Sequence, residues 1–253
     1  MLSAHSPLRR SLVFDLYLRT FRRDYWKRTK RDLVEFYRQF VGPDSLVFDI
    51  GANSGDHAAA FLAIGARLVA VEPLPSCWAQ LNALHPKHRV TVLPCAVGAE
   101  SGTATFHICS TGDWLSTLST DWIKTARESG SYEGMHWDKE LPVEVRTVDS
   151  LIAQFGMPDF IKIDVEGAES DVLDGLSRAP KYMRFEFHRQ TVSEAIACIR
   201  KPCFPPSARF NYIIGDPCGP LMLSDWVQGK QLENILCSPA IQEHEYGDIL
   251  VVT

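Results

Sequence analysis

Six residues of this 253-residue chain could carry chemistry at the ends of apolar runs: Asp49, Glu72, Asp164, Glu166, Glu186 and His188. In an open α/β sheet, ligands bind beyond the carboxyl ends of the strands, so residues at those positions are the ones to read first. Asp49 lies in Val47-Phe48-Asp49-Ile50-Gly51-Ala52-Asn53-Ser54-Gly55, an apolar strand that runs into a glycine turn. Gly51 and Gly55 bracket the turn, where a side chain would collide with a ligand or with backbone. Asp56 and the apolar residues after it read as a helix, with Ser54 expected as its N-cap. Such a strand, turn and helix present backbone N–H groups and a helix dipole to a bound molecule.

The glycine spacing narrows the ligand. A dinucleotide fingerprint wants glycines at relative positions one, three and six. Here Asn53 stands third and Gly55 fifth, which fits that pattern poorly. About twenty residues on, Val69-Ala70-Val71-Glu72-Pro73 ends a second apolar run in an acid placed for a ribose diol. One acid at each of two strand ends suits a cofactor without a pyrophosphate. S-adenosylmethionine is such a molecule: Asp49 would face its ammonium end and Glu72 its ribose. The bland alternative is a plain α/β turn with Glu72 as a solvated charge.

Asp164 and Glu166 follow an apolar run ending at Ile163 and precede Gly167. Two acids so close can bind a hard cation, share a proton or hold a sugar hydroxyl. Glu166 and Glu169 also suit a helix start, where the dipole favours an acid. In Phe185-Glu186-Phe187-His188 the alternation puts Glu186 and His188 on one side and the phenylalanines on the other. An imidazole has a pKa suited to accepting a proton from an alcohol.

The segments VFDIGANSG, VAVEP, LPCAVG and above all FIKIDVEGAE (Phe160–Glu169) resemble the FkbM-type S-adenosylmethionine-dependent methyltransferases. The resemblance covers residues 45–190, and Lys162–Glu169 is its specific part. It implies a seven-stranded class I fold and methyl transfer, typically to a hydroxyl oxygen. It also puts the Asp164–Glu166 block beside cofactor and substrate, Ala96-Val97 against adenine, and Ser116-Thr117-Leu118 in a loop near the cofactor. The expected cofactor residues are Asp49, Gly51, Asn53, Gly55, Glu72, Pro73, Ala96, Val97, Ser116 and Asp164. Asp164, Glu166, Glu186 and His188 are expected at the reacting end, with His188 the preferred base. The expected acceptor is a small molecule or glycan: a sugar, glycolipid or polyketide-like hydroxyl. A magnesium site from Asp164 and Glu186, with Glu166 or water, is possible but not favoured, because the asparagine-rich acidic cluster is missing; no metal ligand is assigned. An N- or protein methyltransferase is the rival enzyme, weakened by the lack of an Asn/Asp-Pro-Pro-aromatic block. A non-catalytic, cofactor-binding interaction module is the rival outside catalysis.

The elements that must position these residues alternate from residue 45 onward. Strands are expected near 46–50, 68–72, 90–94, 159–163 and 182–187, and helices near 55–64, 75–84, 148–155, 168–177 and 191–200. The fold class is α/β: a Rossmann-like, mostly parallel seven-stranded sheet flanked by helices, with an N-terminal helical extension. Thr103–Ile108 reads as a hairpin strand, and Tyr212-Ile213-Ile214 and Ile249–Val252 as the last two strands, which the resemblance makes antiparallel. Residues 109–140 are polar and weakly periodic, but three tryptophans argue against disorder. A substrate-facing insertion or lid is expected there.

Residues 1–42 form the extension and 43–253 the main domain. Within residues 1–40, ten Lys/Arg stand against four Asp/Glu, whereas the whole chain carries −5. Aromatic residues at helical spacing make 8–40 an amphipathic segment that packs on the body or covers the cofactor cleft, with membrane-surface contact as the sharper alternative. The negative total argues against a general nucleic-acid binder. Seven cysteines without a CxxC pair indicate neither a usual zinc site nor a disulfide framework. Arg9-Arg10 precede no uninterrupted apolar core, so an export signal is rejected and a cytoplasmic location is the expectation.

Overall fold

The computed structural model describes residues 30–253 apart from 216, 217 and 240. Expectations for residues 1–29, and so for most of the basic extension, lie outside the described residues. A helix over 30–37 (α1) precedes β1 (Leu46–Ile50), α2 (Asp56–Ile64), β2 (Arg67–Val71), α3 (Pro75–Asn82), β3 (Val90–Leu93) and β4 (Ala96–Val97). Then come β5 (Gly102–Cys109), α4 (Thr120–Ser129), β6 (Trp137–Arg146), α5 (Val148–Phe155), β7 (Phe160–Ile163) and α6 (Glu169–Asp174). The chain ends with β8 (Tyr182–His188), α7 (Val192–Ile199), β9 (Arg209–Ile214), α8 (Gly229–Leu236) and β10 (Tyr246–Val252).

Seven strands form one sheet in the order β3-β2-β1-β7-β8-β10-β9. All neighbours are parallel except β10, which runs antiparallel to both β8 and β9. The chain winds outward from β1 to β3 and returns to lay β7 on the other side of β1. That reversal is a topological switch point, where side connections diverge and leave a crevice. This is the doubly wound, Rossmann-like class I arrangement expected from the sequence.

Both faces of the sheet are covered, which is why β1 reads as an almost unbroken apolar run. Phe48, Ile50, Ile161, Ile163 and Phe185 point to a core closed by α5, α6, α7 and α8. Val47 and Phe160 point the other way, to a core closed by α1, α2 and α3. Leu33, Phe36 and Tyr37 of α1 belong to this second core, so α1 is held on the sheet. No helix among the described residues is long and apolar enough to cross a membrane.

Two local features differ from expectation. The N-cap of α2 is Gly55, at φ 92°, and no side chain caps it; the Ser54 hydroxyl instead approaches the Asp56 carboxylate at 3.4 Å. Residues 137–140, expected within the insertion, start β6, which joins β4 and β5 in a small second sheet ordered β4-β6-β5. The rest of 109–140 is a packed cap: Cys109, Leu115, Trp122, Ile123, Ala126 and Trp137 form their own small core. Trp137 Nε1 donates to the Leu115 carbonyl at 2.7 Å, which satisfies its buried polar atom.

Candidate active site

The turn after β1 holds three positive-φ residues, Gly51, Asn53 and Gly55. Gly51 has φ 79°, and a Cβ there would run into the Asp164 carbonyl of the β7–α6 turn. Its glycine is therefore demanded by the close approach of two turns across the switch point. Asn53 has φ 44° and accepts from the Ser54 N–H at 2.6 Å through its own side chain, an arrangement suited to a left-handed residue. Its backbone N–H donates to Glu72 Oε2 at 2.8 Å, while Leu74 N–H donates to Glu72 Oε1 at 2.7 Å. Both oxygens of Glu72 are thus pinned at the end of β2. Burial pushes its pKa up to about 7 against the pull of those two donors.

Asp49, Lys162 and Arg184 stand in register on β1, β7 and β8, with side chains toward the α1–α2 face. Asp49 is fully buried, 3.8 Å from Lys162 Nζ, and neither of its oxygens has a hydrogen-bond partner among the described residues. Burial raises its pKa, with the Lys162 charge opposing. Lys162 Nζ donates to Asp164 Oδ2 at 3.0 Å. Burial works against ionisation of Asp164, but the Lys162 ammonium outweighs it and holds the carboxyl below its usual range. Arg184 makes a two-pronged bond to Asp248 of β10, at 2.7 Å on each side. Tyr37 of α1 joins it, its hydroxyl 3.3 Å from Arg184 Nη1 and 2.7 Å from His57 Nδ1.

Beyond Asp164 the chain turns through Glu166, at φ 55°, and Gly167, at φ 83°. A Cβ on Gly167 would sit 2.6 Å from that of Trp122, so this glycine lets α4 of the cap rest directly on the turn. Trp122 in turn stacks on the His188 ring, with centroids 4.1 Å apart. His188 Nε2 lies 3.2 Å from Glu186 Oε2 and 3.6 Å from Glu166 Oε2. Burial raises Glu166 well above its ordinary pKa, with Glu186 and Asp164 adding to the effect. Burial and the Asp164 charge push Glu186 up to about 8. For His188 burial acts against the charged ring, yet Glu186 wins and the pKa rises. Glu169 accepts from the Val165 N–H at 3.0 Å, and burial lifts it to about 7.

These elements enclose a cleft of about 690 Å³, its open mouth included, at the carboxyl ends of β1, β2 and β7. Of the residues singled out by sequence, Gly51, Asn53, Glu72, Pro73, Ala96, Val97, Ser116, Asp164 and Glu166 line it. Asp49 and Gly55 do not: Asp49 points into the sheet face toward Lys162, and Gly55 packs against Leu81. Glu186 and His188 stand behind Glu166 and border a separate small cavity against α7. Sequence reading missed Phe106, Asp113 and Trp114 on the cleft wall and Trp122 and Tyr132 on His188. The tryptophans of an otherwise polar insertion were the available signal.

The Methyltransferase FkbM domain profile matches residues 49–201, which spans the cleft, the cap and the Glu166–His188 cluster. The 2-O-methyltransferase NoeI of Sinorhizobium fredii is 31% identical over 156 residues, 56% of this chain and 63% of that protein. The hexuronic acid methyltransferase AglP of Haloferax volcanii is 26% identical over 160 residues, 62% of this chain and 61% of that protein. The chain thus spans less than two thirds of the length of the curated relatives it matches. Among solved structures, a TehB-like SAM-dependent methyltransferase from Corynebacterium glutamicum aligns with TM-score 0.43 at 10% identity, over 88% of this chain and 87% of that one. Profile, register and cleft agree: the chain belongs to the FkbM methyltransferase domain family.

Proposed function

We propose that this chain is an S-adenosylmethionine-dependent O-methyltransferase that acts on a hydroxyl of a sugar-containing acceptor. The observation that carries this reading is Glu72, pinned by two backbone donors in the same cleft as the Asp164–Glu166 turn. With both oxygens fixed, its remaining lone pairs are oriented for the two hydroxyls of a ribose. Gly51 lets the first turn approach the ligand closely, and Ala96 and Val97 offer a small, apolar wall for the adenine. Ser116 and Asp164 complete the lining. The sulfonium of the bound cofactor supplies the methyl group.

What the protein must add is alignment and proton handling. Well-oriented intramolecular reactions gain about 7–11 kcal/mol from alignment alone. Asp164, held ionised by Lys162, is suited to orient an acceptor hydroxyl. Glu166 is the member of the acidic cluster that faces the cleft, with Glu186 and His188 behind it. In its ionised form Glu166 takes up the hydroxyl's proton, with Glu186 and His188 behind it to share the charge. The two relatives, a 2-O-methyltransferase and a hexuronic acid methyltransferase, support a sugar hydroxyl as acceptor.

The test is transfer of isotopic label from methyl-labelled S-adenosylmethionine to neutral and hexuronic acid-containing oligosaccharides. The expected product is a base-stable methyl ether on the glycan. Glu166→Gln is expected to keep cofactor affinity and lose about 10²–10⁴-fold in rate. Label found on amines or on protein would favour the N-directed rival. Cofactor binding with no transfer to any acceptor would favour the interaction module.

A further inference from the structure

Three side chains at and behind the Glu166 wall of the cleft converge on a point. One ligand-type atom each from Glu166, Glu186 and His188 lies within 4.8 Å of the other two. Although His188 Nε2 is only 3.2 Å from Glu186 Oε2, neither atom makes a hydrogen bond among the described residues, and Glu166 Oε2 makes none either. A hydrogen bond needs its N–H aimed along the line to the oxygen, and this approach lacks that direction. His188 is only 4% exposed and Glu166 8%, so water does not take the place of the missing partners at the surface. Leaving buried polar atoms unpaired costs about 1–3 kcal/mol each, and more for charged groups.

We propose that Glu166, Glu186 and His188 bind a divalent first-row transition-metal ion. Two carboxylates and an imidazole are the donors that suit Mn²⁺, Fe²⁺, Co²⁺ or Zn²⁺, whereas Mg²⁺ and Ca²⁺ take oxygen ligands. The other ring nitrogen of His188 is 3.5 Å from the Tyr132 hydroxyl. Such a contact to the non-ligating nitrogen orients a metal-bound imidazole and fixes its tautomer. Trp122 stacked on the ring holds its plane. Asp164 is engaged by Lys162 and lies outside the donor set. Three protein ligands leave coordination positions open, and Glu166 puts those positions beside the cleft. An ion there would lower the pKa of an acceptor hydroxyl. That catalytic role rests on the methyl-transfer reading; the binding itself does not.

The test uses the full chain, stripped with a chelator, dialysed, and titrated with Mn²⁺ while free Mn²⁺ is followed by electron paramagnetic resonance, with Zn²⁺ as competitor. One ion per chain is expected. Tyr132→Phe should weaken binding by about 10–100-fold, and His188→Ala or Glu166→Gln by at least as much. Co²⁺ should quench the fluorescence of Trp122, and Trp122→Phe should abolish that component while keeping the stoichiometry. If either ligand variant fails to fold by circular dichroism, Tyr132→Phe and the quenching carry the decision. No stoichiometric Mn²⁺ or Zn²⁺ uptake by folded wild type, or unchanged affinity in a folded His188→Ala, overturns the proposal. S-adenosylhomocysteine titrated into the same samples separates the two readings. Cofactor bound without metal removes the ion alone; metal bound without cofactor upholds the ion and removes the methyl-transfer reading.

Discussion

Glu72 shows how a single side chain ties local geometry to binding and to pH. Folding keeps its proton on up to about pH 7, whereas the ordinary value is 4.5. A group whose folded pKa is raised stabilises the protein fully below the unfolded value, and that contribution is lost as pH rises through the folded one. Between pH 4.5 and pH 7, Glu72 therefore lowers stability by up to about 3 kcal/mol, and Glu72→Gln removes this part of the slope. Urea unfolding of both proteins at pH 4.5 and pH 8 checks it. Ligand affinity has the opposite sign. If the ribose is held by the carboxylate, S-adenosylhomocysteine binding weakens below pH 7 by up to about tenfold per pH unit, and Glu72→Gln flattens the dependence. Gly51→Ala should cost about 3 kcal/mol or more, because φ 79° is strained for alanine and its methyl group meets the Asp164 carbonyl. The strand-end acids were legible because apolar runs mark strands and each acid interrupts or ends one. The side toward which Asp49 points was not. It depends on Lys162, a partner far along the chain that comes into register only when β7 pairs with β1.

At the scale of elements, the alternation of β-branched runs with helical patterns made the parallel core readable, while the strand order is set by the crossovers of the folded chain. β6 was missed because Asp138, Lys139, Glu140 and Pro142 hide its pattern; Val143 and Val145 alternate into the core, with Leu141 packed against it. The helix α8 was masked by prolines on its N-terminal side, although Leu232 and Leu236 bury at helical spacing. The cap could be expected but not drawn, since Trp122 also needs His188 of β8 and Trp137 belongs to β6. One inter-element contact stands out energetically. Arg184 of β8 and Asp248 of β10 form a buried two-pronged pair that ties the antiparallel strand to the parallel sheet. Replacing such a pair by apolar groups is often neutral, but removing one partner strands a buried charge. Asp248→Ala should therefore destabilise by about 3–5 kcal/mol, measured by urea unfolding.

For the whole molecule, the switch point between β1 and β7 decides where chemistry sits. The sheet opens there, the β1 and β7 turns meet at Gly51, and the cap closes over the acidic cluster through Trp122. A cofactor on the Glu72 side and an acceptor on the Glu166 side would meet in one cleft. The family resemblance reads the class of reaction, while the cap expected to face the acceptor has the least periodic sequence of the chain. The most direct test of the cleft's role is calorimetric titration of the folded protein with S-adenosylhomocysteine, repeated with Glu72→Ala. Binding near micromolar affinity in wild type that collapses in the variant is the expected result. No binding by well-folded wild type, or equal binding by Glu72→Ala, would contradict it.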